Sequence, residues 1–466
     1  MAMTNRNNRK NDCIILDTID SLVPHDHFIR QLEESIDWNF VYPLCKPLYS
    51  DFGRPSIDPV VLFKLIFINI IFGYNSMRKT CEECKYNIIY RWFLGLSIYD
   101  EVPNYSTWSQ NYIRRYGDSD VFDKIFQRIL MELDANGFLD VTTVFGDGTH
   151  MKASANKRKA TDKEVEIAVR HFDEALLNEI NHSREENGKK PFDSLVKEEL
   201  RFNEATGEEE KVKKTKHIKE STTDPESGMF HKGEKEKCFA YEVHAICDAH
   251  GYVLASDVFP GNVHDSVAFF KTYNSVMGFF KDRVQNICLD SGYKTPAICR
   301  EVLENNQNLF MPYKRPMTKE GYFRKNEYAY DEQNNCYICP LGVILPYSTT
   351  DREGYHLYKS RSGDCESCPL KDKCTKAKNN VKVVTRHVWA EYTERVEDMR
   401  MSPKWKEEYP KRKETIERVF ADCKEKSILR YTRLRGLLKN QHHVLMVFAC
   451  HNLKKMAKHK ARMGMI

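Results

Sequence analysis

Residues 139–149 read LDVTTVFGDGT, in which β-branched and aromatic residues lead into Gly-Asp-Gly. A short run of this composition is typical of a buried strand. We expect the glycines to break the strand there, which leaves the carboxylate of Asp147 at the strand end, facing a cleft. Glycine beside the acid also lets a phosphate backbone approach it closely.

The chain after this strand alternates between strands and helices. In order, the pattern predicts strands at 238–248 and 252–260 joined by a hairpin turn, a helix at 265–281, strands at 284–289 and 309–313, and helices from about residue 403. This order predicts a mixed α/β domain over 141–466. Two insertions interrupt it. One is charged and helical, at about 156–237, with its helix at about 162–180; the other is cysteine-rich, at about 315–385, with few apolar residues to bury.

The chain before this domain, residues 1–140, reads as a set of helices. Asp58 and Pro59 start one of them, because Asp can cap free backbone N–H groups and Pro lacks such a group. The segment that follows is apolar nearly all round, which predicts a central helix of a small bundle. Another helix is expected from Ser76 through Trp92.

A further helix is expected to begin at Ser106 as its N-cap, and it displays Arg114 and Arg115. Two short helices joined by a turn, the second rich in amides and arginines, are typical of a DNA-binding helix-turn-helix. An ordinary helical bundle explains the same pattern. Residues 1–140 are therefore predicted to be a helical DNA-binding domain, with these two arginines as candidate DNA contacts.

Length and composition indicate a globular protein of two or three domains, since the chain has 466 residues, of which 41% are hydrophobic and 30% charged. The net charge is only +5, but 17 lysines and arginines stand against six acids from residue 401 onward. This excess indicates contact with nucleic acid, and a solvated helix face is the alternative. No secretory signal is visible at the N-terminus, and the one long apolar run, 59–74, is too short to span a bilayer comfortably. We expect a cytoplasmic, soluble protein.

Three acids are the candidate catalytic residues: Asp147, Asp290 after the strand at 284–289, and Glu417 on a basic C-terminal helix. Acids brought together repel one another, so such a cluster requires divalent cations. Mg²⁺ or Mn²⁺ suits carboxylate oxygens, and two ions would activate an attacking oxygen and stabilise a leaving one. The spacing alone leaves other candidates open for the second acid, namely Asp248, Asp257 and Asp265.

The stretches that carry these acids resemble the motifs of the DDE transposases of bacterial insertion sequences. Residues 146–149 (GDGT) are similar to the first-acid motif of that family, and residues 289–293 (LDSGY) to its second. Residues 416–420 (IERVF), followed by Lys424, are similar to the third. Residues 49–59 (YSDFGRPSIDP) are similar to the start of the family's helical domain, so that the resemblance covers nearly the whole chain.

The resemblance implies an all-α N-terminal domain ahead of a ribonuclease-H-like α/β catalytic domain. It also implies cleavage of DNA at transposon ends and 3′-hydroxyl strand transfer into target DNA, with double-stranded DNA as the partner and a homodimer in the DNA complex. Basic residues near the third acid would hold DNA phosphates: Arg412, Lys413, Arg418 and Lys424. The alternatives are a nuclease of the same fold without strand transfer and a non-enzymatic DNA-binding relative.

The chain departs from the family pattern at one point. Related transposases carry a Tyr-Arg-Glu-Lys signature, and Glu417 and Lys424 have its spacing, whereas Tyr409 and Arg412 lie one residue too far upstream. The roles of these two residues do not follow from the resemblance.

The cysteine-rich insertion carries two CxxC pairs, followed by Cys374. The pairs are Cys336 with Cys339 and Cys365 with Cys368. Four thiolates of two such pairs form a closed tetrahedral zinc site, so we expect one structural zinc here. Cys374 is either a substitute ligand or a bystander, and reduced thiols without a metal are the alternative.

Overall fold

The computed structural model describes residues 17–53, 55–166, 172–196, 198–203, 208–213, 215–232, 236–314 and 318–466. Contacts divide the chain into two compact units. A helical unit contains the chain up to Phe138, together with Asp422–Leu429 and His442–Ile466, and a mixed unit contains Leu139–Ala421 and Arg430–Gln441. The expected division at residue 140 lies close to the first boundary, but the grouping of two C-terminal segments with the N-terminal helices was not predicted.

The first seven helices lie in the helical unit. They are α1 (Phe28–Glu34), α2 (Val41–Cys45), α3 (Pro59–Ile71), α4 (Met77–Tyr86), α5 (Ile88–Leu94), α6 (Tyr105–Asn111) and α7 (Val121–Ala135). As predicted, the Asp58 carboxylate caps α3, accepting a hydrogen bond from the Val60 N–H at 2.7 Å. Nearly every residue of α3 is buried, so this helix forms the centre of the unit.

Two details of these helices differ from the sequence-based expectation. The helix expected from Ser76 through Trp92 is broken at Asn87, whose side chain caps α5 by accepting a hydrogen bond from the Ile89 N–H. The N-cap of α6 is Asn104 rather than Ser106, because the Asn104 Oδ1 accepts the hydrogen bond from the backbone N–H of Ser106. Both asparagines offer a short acceptor at the helix start, as a cap requires.

The C-terminal segment belongs to the helical unit through specific contacts of the last helix. Lys460 donates hydrogen bonds to the backbone oxygen of Ser35 at 2.9 Å and to Glu132 at 3.1 Å. His442 lies 2.9 Å from the Tyr112 hydroxyl. The apolar residues of this last helix between 444 and 457 are buried. In the described part of the chain, no helix has the length and apolarity required to cross a membrane.

The remaining elements follow in chain order. The strands are β1 (Thr143–Lys152), β2 (Ala160–Glu166), β3 (Glu198–Asn203), β4 (Glu208–Lys213), β5 (Thr215–Ser221), β6 (Gly228–Lys232), β7 (Glu236–Cys247), β8 (Val253–Pro260), β9 (Asn286–Cys288), β10 (Asn308–Phe310), β11 (Ala329–Asp331), β12 (Cys336–Ile338), β13 (Ile344–Thr350), β14 (Tyr355–Lys359) and β15 (Val383–His387). The helices are α8 (Asp173–Glu186), α9 (Asp265–Phe280), α10 (Pro296–Glu304), α11 (Ser362–Glu366), α12 (Lys371–Cys374), α13 (Ala390–Met399), α14 (Pro403–Glu408), α15 (Ile416–Lys426) and α16 (Leu437–Arg462).

The main sheet of the mixed unit has six strands in the order β10-β9-β1-β7-β6, with β8 also paired to β7. Strands β9 and β10 run parallel to β1, whereas β7 is antiparallel to it, and β8 is antiparallel to β7. The hairpin predicted between β7 and β8 is present, and its turn contains Gly251 at φ +76°. These strands confirm the expectation of a mixed α/β unit.

Strand β1 does not end at Asp147, which corrects the expectation drawn from Gly-Asp-Gly. It continues to Lys152, because its antiparallel pairing with β7 runs without interruption past both glycines. The glycines serve packing instead. A Cβ at Gly146 would lie 2.7 Å from Leu289 Cδ2, and one at Gly148 would lie 3.0 Å from His244 Cε1.

The charged insertion is not mainly helical. Residues 162–166, where the expected helix at about 162–180 begins, lie in β2, which pairs with β5 in a two-stranded ribbon. Opposite charges on the two strands lie close together, as where Lys163 lies 2.7 Å from Glu220. Such cross-strand pairs favour paired strands over a helix. The helix of this insertion, α8, lies further along the chain, and β3 and β4 form a second ribbon.

The cysteine-rich insertion has a fold of its own, contrary to the expectation of few buried apolar residues. Strands β11 to β15 form an antiparallel five-stranded sheet in sequential order. Its small core consists of Tyr328, Tyr337, Leu345, Tyr358 and Val384. Tyrosines supply much of the buried area, and the apolar pattern did not reveal this because tyrosine also occurs on surfaces.

Candidate active site

Asp147 lies on β1 beside the point where the neighbouring parallel strand has ended. Pairing between β1 and β9 stops at Phe145 and Cys288, so the acid lies just beyond the last paired residues. It is opposite Ala245 of β7, and directly opposed residues share a face of the sheet. Its side chain is largely buried, and Oδ1 accepts a hydrogen bond from the Gly148 N–H at 2.9 Å.

Asp290 follows β9 after one intervening residue, close to the expected position at the end of a buried strand. It caps the 3-10 turn Ser291–Tyr293, and its Oδ1 accepts the Ser291 N–H at 2.6 Å. About half of its side chain is exposed. The turn therefore holds this carboxylate at the sheet edge with an oxygen open to solvent.

Arg412 connects the two aspartates. Its guanidinium lies 3.1 Å from Asp147 and 4.0 Å from Asp290, and its side chain is only 6% exposed. It stands in a 3-10 segment, Tyr409–Lys413, that is separated from α15 by two turn residues. The extra residue between Arg412 and Glu417 thus falls in a stretch without regular α-helical spacing. Such a stretch accommodates one additional residue while Arg412 still reaches the acids.

Glu417 lies in the first turn of α15 with an exposed side chain. Its charge acts on Asp147, as does that of Asp290. Burial raises the pKa of Asp147 to about 6; Arg412 and the Gly148 N–H oppose that shift, and the negative charges of Asp290 and Glu417 add to it. The charges of Asp290 and Glu417 therefore both act on Asp147, and Arg412 is the cation beside it.

Two of the rival acids have structural roles. The buried carboxylate of Asp248 accepts hydrogen bonds from the backbone of His250, Tyr252 and Asp140, which is a turn role. Asp257 is buried and bonded to Thr272 at 3.0 Å and Lys271 at 2.7 Å. The side chain of Asp265 lies outside the described residues.

The donor set at Asp147, Asp290 and Glu417 suits a hard divalent cation, since it consists of carboxylate oxygens. The raised pKa of Asp147 points the same way, because a cation would favour its ionised form. In the described residues, however, no group of three or more acids, histidines or cysteines is arranged closely enough to hold a metal ion. The guanidinium of Arg412 lies between the two aspartates instead.

Two protein-family models match the chain. The one described as a transposase domain (DUF772) matches residues 17–114, and the one described as a transposase DDE domain matches residues 338–457. No curated protein matches the chain. The two matches together indicate an insertion-sequence DDE transposase. The second match includes Glu417 of this transposase, whereas Asp147 and Asp290 lie before it.

The predicted DNA contacts of the transposase occupy different environments. Lys413 and Arg418 are exposed, and Arg412 is buried against the acids. Arg114 is exposed, but Arg115 lies 4.4 Å above the ring of Tyr49. Their DNA contacts, and that of Lys424, stay predictions.

The helix-turn-helix expected in the helical unit has an unusual connection. Helix α5 ends at Leu94 and α6 begins at Tyr105, so ten residues separate them rather than the three or four of that motif. Arg114 and Arg115 lie beyond α6, in a π-helical turn, Tyr112–Tyr116. This pair of helices therefore does not have the usual helix-turn-helix geometry, and the DNA-binding role of the helical domain stays a prediction.

The cysteines of the two CxxC pairs lie in different environments. Cys339 Sγ accepts hydrogen bonds from the N–H groups of Leu341 at 3.4 Å and Val343 at 3.3 Å. Cys336 is on β12 next to Tyr337, a core residue, and successive side chains of a strand point to opposite faces. Cys374 packs against the same small core as Cys339.

One polar cluster near the acids was not predicted from the sequence. Glu242 and His244 are both buried on β7, and His244 is hydrogen-bonded to Tyr293. The signal was present: two ionisable residues at positions i and i+2 fall on one face of an otherwise apolar strand. Buried ionisable groups of this kind mark functional regions more often than chance.

Proposed function

We propose that the transposase cleaves DNA at the ends of its transposon and joins the freed 3′-hydroxyl to target DNA, with Asp147, Asp290 and Glu417 as the catalytic carboxylates. One observation carries this proposal: the carboxylates of Asp147 and Asp290 flank the guanidinium of Arg412, and the charge of Glu417 on α15 also acts on Asp147. Three like charges from distant parts of the chain are costly to assemble, so the arrangement points to a function that requires them.

The three carboxylates would hold two Mg²⁺ or Mn²⁺ ions. When bound, such ions activate an attacking oxygen and neutralise charge on the leaving one, as both hydrolysis and strand transfer require. The protein contributes placement: β1 and the turn after β9 fix the two aspartates, and the first turn of α15 presents Glu417. In this proposal, the exposed side chains of Lys413 and Arg418 hold DNA phosphates.

The proposed fold of the mixed unit is ribonuclease-H-like. Support comes from the mixed sheet, in which β1 is central and carries one acid, and its parallel neighbour β9 is followed by the second. The proposed DNA complex is a homodimer, since two transposon ends must be cut and joined together.

Cleavage and joining can be tested with the full chain, a duplex carrying the DNA repeats that flank its coding region, and a supercoiled target plasmid in Mg²⁺ or Mn²⁺. We expect nicked end duplex and joined product. Replacement of each acid by its amide should abolish both while end binding persists. The matched control is Glu414→Gln, which alters an exposed acid three residues before Glu417.

The other outcomes separate the alternative functions. Cleavage without joined product would indicate a nuclease. Binding of end duplex with no cleavage in either metal would indicate a DNA-binding relative. Normal cleavage by Asp290→Asn would overturn the assignment of the second acid.

We also propose a structural zinc ion in the five-stranded sheet, held by Cys339, Cys365 and Cys368 together with Cys374. The sequence favoured Cys336 as the fourth ligand, but three observations support Cys374. Cys339 and Cys374 pack against the same core, whereas Cys336 is on the opposite face of β12 from Tyr337. Lys382 links the cysteine positions, since its N–H donates to Ser360, the partner of Cys365, and its Nζ donates to the Cys374 backbone oxygen. The matched transposase DDE domain begins at residue 338, after Cys336.

A further inference from the structure

A buried row of polar side chains lies on the face of the main sheet opposite the aspartates. On β7, Glu242 and His244 share one face, and Gly148 of β1 is directly opposite His244. Asp147 and Ala245 form the next pair and therefore point to the other face. The side chains of Glu242 and His244 are 2% and 3% exposed.

Both ring nitrogens of His244 have partners. Nδ1 lies 2.8 Å from the Tyr293 hydroxyl, and Nε2 lies 3.2 Å from Glu242 Oε1. When Tyr293 donates to Nδ1, the ring proton is on Nε2 and faces the glutamate. The hydrogen bond with Tyr293 holds the imidazole in position, as second-shell groups hold functional side chains, whereas the 3.2 Å contact with Glu242 Oε1 does not have hydrogen-bond geometry.

This histidine touches the backbone stretches that hold both aspartates. A Cβ at Gly148 would lie 3.0 Å from the His244 ring, and the N–H of Gly148 donates to Asp147. Tyr293 ends the 3-10 turn that Asp290 caps, and its own N–H donates to the backbone oxygen of Asp290 at 3.2 Å. His244 therefore connects β1, which carries Asp147, to the turn that Asp290 caps. It does so from the face of the sheet opposite Asp147.

We propose that Glu242, His244 and Tyr293 form a positioning relay that sets the separation of Asp147 and Asp290 and so their affinity for a divalent cation. The residues do not contact DNA or metal; they act through the two backbone stretches. This inference rests on the proposed function, because it assumes that the two aspartates bind the cation.

Other charged groups face the same layer of the sheet. Asp257 of β8 is opposite His244, and it is bonded to Lys271 and Thr272 of α9. His150 of β1 is opposite Glu242 and stacks on Phe230. Both groups therefore lie beside this row, Asp257 with partners on α9 and His150 stacked on an aromatic ring.

The test compares two buried tyrosines in the full chain. Tyr293→Phe removes the hydroxyl bonded to His244. Tyr273→Phe removes an equally buried hydroxyl, bonded to Gln307 at 2.8 Å, on α9. Mn²⁺ binding to the DNA-free protein is followed by loss of the free-ion electron paramagnetic resonance signal, and cleavage is followed as a function of Mn²⁺ and of DNA.

Tyr293→Phe should weaken Mn²⁺ binding by about tenfold, the usual effect of losing a second-shell partner. It should also raise the Mn²⁺ concentration for half-maximal cleavage and leave the KM for DNA unchanged. Tyr273→Phe should behave as wild type in both assays. Equal Mn²⁺ binding by the two variants would overturn the relay. If Tyr293→Phe does not fold, His244→Gln serves in its place, and Mn²⁺ affinity equal to that of wild type would overturn the relay as well.

Failure of the proposed function gives a different result. Wild-type protein that binds Mn²⁺ but leaves end duplex intact would contradict the catalytic proposal. The comparison of the two tyrosine variants in Mn²⁺ binding would still decide the relay.

Discussion

The polar side chains of the two larger sheets of the mixed unit have different kinds of partner. In the five-stranded sheet, neutral side chains bond to one another, as where Tyr358 donates to Asn335 at 2.7 Å and the Tyr328 hydroxyl lies 3.1 Å from the sulfur of Cys374. At the six-stranded sheet, the carboxylates of Asp147 and Asp290 flank the buried guanidinium of Arg412, and the charge of Glu417 also acts on Asp147. The neutral side chains of the first sheet are bonded to one another, whereas the acids at the second carry excess negative charge that a divalent cation would neutralise.

The difference also concerns protons. Carboxylates near neutral pH take up a cation with little proton release, whereas cysteines release protons when they bind zinc. Because only the acid site is proposed to be catalytic, we expect metal binding there to change both stability and activity. Metal binding at the thiol site should change stability alone.

The largest expected effect is on catalysis. Asp147→Asn, Asp290→Asn or Glu417→Gln should lower the cleavage rate by about 10³-fold or more, because each removes charge that acts on the transition state. Rates are measured on end duplex in saturating Mn²⁺. A residual rate within tenfold of wild type for any of the three would remove that residue from the site.

Arg412→Ala should be the most destabilising change near the site. It leaves two acids facing each other without their cation, and loss of one partner of a buried pair costs about 3 kcal/mol. Denaturant unfolding in metal-free buffer measures the loss, and added Mn²⁺ should restore part of it. Lys413→Ala, an exposed neighbour, should change stability by less than about 0.5 kcal/mol. Similar losses for the two variants would contradict the central place given to Arg412.

The zinc proposal tests the other side of the comparison. Protein purified under reducing conditions should contain about one zinc per chain. Cys339→Ser and Cys374→Ser should lose it and lower stability by about 2 kcal/mol, whereas Cys336→Ser should keep it. Folded, active protein with no zinc would show that this sheet needs no ligand. Zinc loss in Cys336→Ser alone would restore the ligand set favoured by the sequence.

The smallest effect concerns pH. Since the pKa of Asp147 is raised to about 6, protonation competes with cation binding below that value. At limiting Mn²⁺, cleavage should fall by about tenfold for each pH unit below 6, and higher Mn²⁺ should move the inflection downward. The contribution of Asp147 to stability without metal has the opposite sense: it is present at low pH and is lost as pH rises through about 6. An inflection that does not move with Mn²⁺ would exclude Asp147 as the group responsible.

The sequence predicted much of the main sheet because its elements are local. Strands β7 and β8, helix α9 and strand β9 all follow from apolar runs and turn residues near the expected positions. Asp290 was placed correctly, since a polar residue directly after a buried strand needs no distant information.

Other features depended on neighbours that are remote in sequence. Whether Gly-Asp-Gly ends a strand depends on β7, which pairs with it over its full length. The place of Arg412 beside the acids could not be read from its spacing, because an irregular segment lies between it and Glu417. The assignment of residues 442–466 to the helical unit required contacts such as that of Lys460 with Glu132.

The distribution of these parts along the chain has a consequence for synthesis. Asp147 emerges from the ribosome long before Glu417, and at about 5–20 residues per second the interval is roughly tens of seconds. The core of the helical unit is completed later still, because α16 supplies part of it up to Ala457. The nascent chain thus lacks part of the core of its helical unit until α16 has been synthesised, and it has no complete set of the three acids until Glu417 has been synthesised. If the three acids cleave DNA as proposed, this order keeps the nascent chain inactive until its third acid has been synthesised.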